Sequence, residues 1–283
     1  MREKKQIYIT VKTYPVISKE YSQLVCTAGI LKDGSWIRLH PLPFPSIEED
    51  KKFKKYTWIE LEVEKNPTDS RPESYSPVNW RNLEPLQNGN TKAVNWQERK
   101  DIIFRNTIIY DTLNDLITEN KKNGVSLAIF KPKQIIKFEH KEASRNWSEN
   151  DLALLRQASQ QRDLFKTEAE IKKEFLPPRK LPYRFSYKFI DKCDQESTMM
   201  IADWEIGSLY WNCLKGADND EEAAIEKVKN KYFYTFTAKK DLYFFLGTTL
   251  KFDNMNAPNP FIIIGVFYPP IAMVHRPIQQ KLF

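Results

Sequence analysis

The sequence predicts a β-dominated α+β protein that contains two small, partly open β-barrels with a few intervening helices. Three observations favour this class. Short runs rich in β-branched and aromatic residues recur in both halves, turn residues separate these runs, and few stretches have helical periodicity. A parallel α/β sheet would instead require strands and helices to alternate regularly.

The first half contains the clearest strand signals. Residues 6–11 are β-rich, and residues 24–31 and 36–39 flank Lys32-Asp33-Gly34-Ser35, whose Asp-Gly pair is typical of a tight hairpin turn. Between residues 56 and 63, Ile59, Leu61 and Val63 alternate with polar residues. That period of two predicts a strand with one buried and one exposed face.

One long helix is predicted over residues 96–122. Asn95 followed by Glu98 resembles a capping arrangement, and Asn123-Gly124 supplies a stop. A strand is expected over residues 126–137, and Ser148 with Asp151 predicts the start of a shorter helix that runs to about residue 165.

The second half is expected to repeat this style. Strands are predicted at residues 183–190, 198–204, 242–246 and 261–267, with a helix at residues 220–231. The predicted domains are 1–165, a barrel with a helical insertion, and 183–283, a barrel with a short tail. Residues 166–182 form the predicted linker, because Pro177-Pro178 interrupts regular structure there.

Composition excludes several classes of protein. No apolar run approaches the roughly 18 residues of a membrane span, and the charged N-terminus lacks the apolar segment of a secretion signal. Three distant cysteines favour a reducing, cytoplasmic setting over a disulfide framework or a zinc site. The net charge of +7 comes from 44 basic and 37 acidic residues. Residues 181–283 are balanced, so a polyanion would be expected to contact the first two-thirds of the chain.

Several phrases resemble a bacterial dual OB-containing domain family, which is little characterised and found near defence and mobile-element loci. The resemblance is carried by CTAGI and WIRLHP (residues 26–30 and 36–41), RPESY (71–75), DWE (203–205), and FLGT followed by IIGVFYPP. These phrases occur in the same order and extend over nearly the whole chain. The resemblance implies two OB-like barrels and nucleic-acid binding, but it implies no reaction and no cofactor.

Rings beside cations indicate where nucleic acid would be held, since bases stack on rings while cations contact phosphates. Trp36, Arg38 and His40 alternate along one strand and are expected to share a face. The alternative is that Trp36 caps a barrel with Arg38 lying across it. In the second half the candidate rings are Tyr187, Trp204 and Tyr243.

Further basic residues extend this prediction. Lys131, Lys133 and Lys137 are expected to form a basic face that follows a nucleic-acid backbone, although lysines that protect a sheet edge would have the same pattern. Arg71 is a candidate ligand contact, and the alternative is an internal ion pair with Glu73.

Two acidic patterns leave a catalytic alternative open. Asp203 and Glu205 could bind Mg²⁺ for phosphodiester cleavage, or they could cap a helix at residues 206–214. Glu139-His140-Lys141 has the acid-x-Lys spacing of many metal-dependent nucleases, with Asp69 as a nominal third member.

The chain ends in Gln279-Gln280-Lys281-Leu282-Phe283, which resembles short peptides that dock on bacterial sliding clamps through Gln279, Leu282 and Phe283. The prediction is therefore a cytoplasmic, non-catalytic protein that binds single-stranded or guide-like DNA or RNA, or a nucleotide-like ligand. Its predicted partner is a sliding clamp or a defence-system protein, and no membrane contact is expected. The alternatives are a metal-dependent nuclease and a protein-interaction adaptor.

Overall fold

A computed structural model of the chain describes residues 2–17, 25–42, 47, 51–86, 95–160, 177–249, 252, 255 and 257–271. The β-rich α+β class is confirmed. Strands of residues 2–85 form a closed barrel, and residues 109–271 form what is called here the α+β part. Helix α1 (Trp96–Ile103) lies between them in sequence.

The barrel has five strands, and a sixth short strand extends its sheet. They are β1 (Arg2–Lys12), β2 (Thr27–Leu31), β3 (Trp36–Leu39), β4 (Trp58–Lys65), β5 (Ser74–Pro77) and β6 (Glu84–Pro85). A 3₁₀ turn at Trp80–Asn82 lies between β5 and β6. The closed order is β1-β2-β3-β5-β4, because β4 pairs with β1 as well as with β5. β3 and β5 are parallel, and the other neighbours are antiparallel.

Alternation of side chains fills the barrel. Ile59, Leu61 and Val63 of β4 are buried in its core, as the period of two predicted. Ile37 and Leu39 of β3 join the same core. Trp36 and Arg38, which alternate with them on β3, therefore point outward, toward the α+β part.

The hairpin predicted at residues 32–35 is confirmed. Asp33 Oδ1 accepts a hydrogen bond from the backbone N–H of Ser35 at 2.9 Å, and Gly34 has a φ of +90°. The segment after α1 holds this turn, since Asn106 Nδ2 donates to Asp33 O at 3.2 Å and Thr107 Oγ1 donates to Gly34 O at 3.1 Å.

The single helix predicted over residues 96–122 is wrong, although both of its predicted ends are confirmed. Asn95 caps α1 by accepting a hydrogen bond from Glu98 N at 3.0 Å, and Gly124, at φ +71°, ends α2 (Leu113–Asn123). Between the two helices the chain turns at Asn106, which has a φ of +52°, and forms β7 (Ile109–Tyr110). Thr112 then caps α2, so a second helix start replaces continuation of the first.

The described residues of the α+β part form two sheets. Its remaining elements are β8 (Leu127–Phe130), β9 (Gln134–Glu142), α3 (Glu149–Gln160), β10 (Tyr183–Ile190), β11 (Glu196–Met200), α4 (Trp204–Lys215), α5 (Glu221–Lys229), a π-helical turn (Asn230–Thr235), α6 (Phe236–Lys239), β12 (Tyr243–Thr248) and β13 (Phe261–Phe267). One sheet has the order β13-β12-β8-β7 and the other β11-β10-β9. A second barrel does not emerge from these pairings.

Strand pairing crosses the predicted linker at residues 166–182. β9 precedes that segment and β10 follows it, yet the two are antiparallel neighbours. β8 and β12 pair across the same segment. No helix in the described ranges combines the length and the apolar character that a membrane span requires.

We expect Gly34→Ala to destabilise the protein strongly. A Cβ at this position would lie 1.9 Å from the carbonyl oxygen of Arg105, and the φ of +90° is unfavourable for any residue with a side chain. Urea unfolding should show a loss of at least about 1–3 kcal/mol. Gly216→Ala is the matched control, because its Cβ would have no neighbour closer than 3.5 Å. Equal losses for both variants would contradict this account.

Candidate functional site

The outward face of β2 and β3 is partly covered by the α+β part. Arg38 donates hydrogen bonds to Ser126 Oγ at 2.8 Å and to Ser126 O at 3.1 Å, and it is only 4% exposed. Glu73 accepts from the N–H of Ser126 at 3.0 Å and from its Oγ at 2.8 Å. Ser126 thus joins a barrel cation to a barrel carboxylate.

Arg38 is therefore not an accessible phosphate contact, and that prediction is corrected. Burial is the main cause that lowers the pKa of Arg38 to about 10, and the nearby charge of Arg71 adds to it. The outward orientation shared with Trp36 is confirmed, because Trp36 packs edge-on against Phe245 with 5.8 Å between ring centroids. The outward face of β3 is therefore mostly a contact surface between the two parts of the chain.

Arg71 also belongs to this joint. Its guanidinium donates to both carboxylate oxygens of Asp69, at 2.8 and 2.6 Å, and to the carbonyl of Thr248 at 2.9 Å. The internal ion pair is confirmed, but its acidic partner is Asp69 and not Glu73. Burial alone would raise the pKa of Asp69, yet hydrogen bonds from Arg71 and Ser74 outweigh it and hold that pKa far below its usual range.

A second polar joint is centred on Asp203. This residue is fully buried; its carboxylate accepts from Lys55 Nζ at 3.0 Å, Glu205 N at 3.1 Å and Val266 N at 3.2 Å. Lys55 also lies 3.4 Å from a carboxylate oxygen of Glu205. Asp203 caps α4, so the helix-capping alternative is confirmed. A carboxylate held by three donors is poorly placed to bind Mg²⁺.

The other acidic pattern is not assembled into a site. Glu139 forms an ion pair with Lys137 at 3.1 Å, and the ring of His140 lies against Tyr183. Asp69, its nominal third member, is engaged by Arg71 in the barrel. Within the described ranges, no group of three or more His, Cys, Asp or Glu side chains is arranged to hold a metal ion.

The predicted ring candidates of the second half separate from one another. Tyr187 is completely buried, stacks on Phe244 at 5.4 Å and donates a hydrogen bond to Tyr232 O, so its prediction as a base-stacking ring is wrong. Tyr187 is buried because it lies on the inward face of β10, which packs under the helices. Trp204 begins α4 and packs against the barrel core, with Lys12 Nζ 5.5 Å from its ring. Tyr243 donates to Asp241 at 2.9 Å.

The predicted basic face of residues 131–137 is divided among separate ion pairs. Lys131 forms an ion pair with Asp241, and its Nζ lies 4.3 Å from the centroid of the Tyr243 ring. Lys133 forms a separate ion pair with Asp194. Lys131 and Lys133 lie between β8 and β9, so only Lys137 belongs to a strand. The three lysines therefore do not form one strand face.

His40 lies half-buried just after β3. Its backbone N–H donates to Tyr75 O at 2.9 Å, and its carbonyl accepts from Asn66 Nδ2 and Ser76 Oγ, both at 3.0 Å. These contacts hold the β3–β5 edge of the barrel. The predicted docking residues Gln279, Leu282 and Phe283 lie outside the described residues.

One open groove does contain a predicted ring. It lies where the β2–β3 hairpin meets the segment around β7 and has a volume of about 540 Å³. We call it the seam groove; it is lined by Lys5, Leu31, Asp33, Gly34, Ser35, Trp36, Pro72, Glu73, Tyr75, Asn106, Thr107, Ile108, Tyr110, Val125, Leu127 and Ala128. Of its rings, only Trp36 is predicted from the sequence as a ligand contact. Tyr75 stands within RPESY and could have been singled out, whereas Tyr110 fell inside the wrongly predicted helix.

Comparison with known families divides the chain at this seam. Residues 3–105 match a family described as Domain of unknown function (DUF8758), and residues 109–283 match one described as Domain of unknown function (DUF8757). The second match covers more than half of the chain. No curated protein matches the chain.

Lys55→Met should be strongly destabilising, because it leaves the Asp203 carboxylate buried without its cation. Breaking a buried pair in this way costs about 3–5 kcal/mol, measurable by urea or thermal unfolding. Lys192→Met is the matched control, since Lys192 pairs with Asp111 at a similar distance of 2.7 Å but on the surface. A loss for Lys55→Met no larger than that for Lys192→Met would refute the role given to this joint.

Proposed function

The chain belongs to the DUF8757 family, whose description names no activity, and we propose from the seam groove that this protein binds single-stranded nucleic acid without cleaving it. The observation that carries the proposal is the meeting of three half-buried aromatic rings, Trp36, Tyr75 and Tyr110, with Lys5 in one open groove. Rings and cations in one groove are the combination that holds single strands.

The rings have unused capacity for a ligand. Trp36, Tyr75 and Tyr110 make no side-chain hydrogen bond to another described residue, so the indole N–H and both hydroxyls can pair with a ligand. Ile108 lines the same groove and is 67% exposed, which adds an apolar surface that a base or sugar would cover. These features favour a ligand with flat, partly apolar faces and polar edges.

Cations lie beside the rings. Lys65 Nζ is 4.1 Å and Lys5 Nζ is 5.3 Å from the centroid of the Tyr75 ring. Lys32 and Arg105 are exposed near the hairpin turn at the end of the groove. The two carboxylates of the lining are engaged internally, Asp33 with Ser35 and Glu73 with Ser126, which limits their repulsion of a phosphate.

The barrel supports the same ligand class. Its closed order β1-β2-β3-β5-β4, with β3 parallel to β5, is consistent with an OB-like barrel. OB-folds bind oligonucleotides on the β2–β3 face and on the loops after β1 and β4. Here the Arg38–Ser126 contact covers the middle of that face, and the seam groove remains at its hairpin end.

The size of the groove limits the ligand. A volume of about 540 Å³ lies within the range of small-ligand sites, about 300–1,000 Å³. The groove is therefore suited to about one or two nucleotides of a strand. The cytoplasmic location, the defence setting and sliding-clamp docking stay predictions.

Removing a groove ring should weaken binding of short labelled single-stranded DNA or RNA. We expect Trp36→Ala and Tyr110→Ala each to lose about 1–3 kcal/mol, or about 5- to 150-fold in affinity, by fluorescence anisotropy. The matched control is Tyr234→Ala, because Tyr234 is 51% exposed and lies outside the groove. Affinity should also fall steeply as salt rises.

Three outcomes would overturn the proposal. Absence of any anisotropy change with DNA and RNA would favour the adaptor alternative. Equal effects of the groove variants and Tyr234→Ala would place the contact elsewhere. Cleavage of the labelled strand with Mg²⁺ or Mn²⁺ that requires Glu205 would revive the nuclease alternative.

A further inference from the structure

A second cavity, of about 340 Å³, lies in the α+β part away from the seam groove. Its walls come from the loop after β9, the segment before β10, α4 and the turn into α5. Cations predominate among the described residues of its lining, where Arg145, Arg179 and Lys180 accompany one carboxylate, Glu221. We call it the basic pocket.

Arg179 is the principal free cation of the basic pocket. Its guanidinium carbon lies 3.4 Å from the centroid of the Trp211 ring, and the residue is exposed. Among the described residues its guanidinium has no carboxylate or hydrogen-bond partner. Stacking on a ring fixes the plane of a guanidinium while its N–H donors stay available.

The barrel fixes the ring that supports Arg179. Trp211 Nε1 donates a hydrogen bond to Tyr14 Oη at 2.8 Å, and Tyr14 Oη donates to the backbone carbonyl of Arg179 at 2.6 Å. Tyr14 lies two residues after the end of β1, so the segment that leaves the first barrel strand orients both the ring and the backbone beneath the guanidinium. The pocket is therefore preorganised, which reduces the entropy lost on binding.

Lys180 and Asn219 add further donors. Lys180 Nζ donates to Asn146 O at 2.7 Å and lies 5.0 Å from the centroid of the Trp147 ring. An ammonium has three donors, so that contact leaves two for a ligand. Asn219 is held at a φ of +67°, and its exposed side-chain amide makes no hydrogen bond to another described residue.

The carboxylate of the pocket is already occupied. Glu221 accepts a two-pronged contact from Arg145 and a hydrogen bond from Tyr183 Oη at 2.6 Å. These hydrogen bonds, that of Arg145 first, lower the pKa of Glu221 to about 2. Arg145 and Glu221 therefore offset each other, and no carboxylate among the described residues pairs with Arg179 or Lys180.

We propose that the basic pocket binds a phosphate monoester, either a small phosphorylated metabolite or the phosphorylated end of a nucleic acid. A phosphate monoester carries a charge of about −1.5 to −2 at neutral pH and three acceptor oxygens. That matches the two free cations and the amide, whereas a carboxylate would neutralise only one of them. The proposal does not depend on the function of the seam groove.

The test is calorimetric titration of the full chain with inorganic phosphate, with AMP and with acetate. Phosphate and AMP should bind, and acetate should not compete. Arg179→Ala and Lys180→Gln should each weaken phosphate binding about tenfold or more, because each removes a charged donor. Arg184→Ala is the matched control, since Arg184 is an exposed cation of the same part outside the pocket.

Comparison of 5′-phosphorylated, 3′-phosphorylated and unphosphorylated oligonucleotides then separates the two sources of phosphate. Preference for a phosphorylated end assigns the pocket to nucleic acid, and equal binding of all three, with AMP retained, assigns it to a metabolite. Trp36→Ala should leave phosphate binding unchanged. A failure of the function proposed for the seam groove is therefore distinguishable from a failure of the basic pocket. No binding of phosphate or AMP, or no loss with either pocket variant at unchanged thermal stability, would overturn the proposal.

Discussion

The buried carboxylate of Asp203 is the constraint on which the arrangement of the two parts depends. It accepts hydrogen bonds from a barrel lysine, Lys55, from the first turn of α4 and from β13. Two charges taken out of water cost several kcal/mol each, and only close pairing offsets this. The barrel and the α+β part must therefore meet in one arrangement, because any other leaves a buried charge without a partner.

Both candidate sites follow from that joint. Beside it, the backbone of Tyr14 donates to Ala202 O at 2.8 Å, which brings the Tyr14 hydroxyl to Trp211 and the basic pocket. Across the outward face of β3, the Arg38–Ser126 contact closes the middle of the surface that an OB-like barrel uses for ligands. The seam groove is what remains open, and its rings come from both parts of the chain.

Local features could be predicted from the sequence because their causes are local. The hairpin at Gly34 follows from a residue that accepts positive φ, and the caps at Asn95 and Gly124 follow from side chains and backbone within one turn. The prediction of one long helix is wrong for a related reason. Thr112 can cap a helix as well as stand inside one, and only the turn at Asn106 decides between the two.

The sites could not be predicted in the same way, because their determinants are distant in sequence. Lys55 and Asp203 are 148 residues apart, and Arg38 and Ser126 are 88 apart. Ring-and-cation phrases identify rings near cations, but they do not show which rings face a core: Trp36 lines a groove, whereas Tyr187 on a similar alternating strand is sealed beneath helices. Whether a side chain on a strand is buried depends on the element that packs against that face of the strand. A barrel whose ligand face is partly covered by another part of its own chain must bind where that cover ends, and here the cover ends at Trp36, Tyr75 and Tyr110.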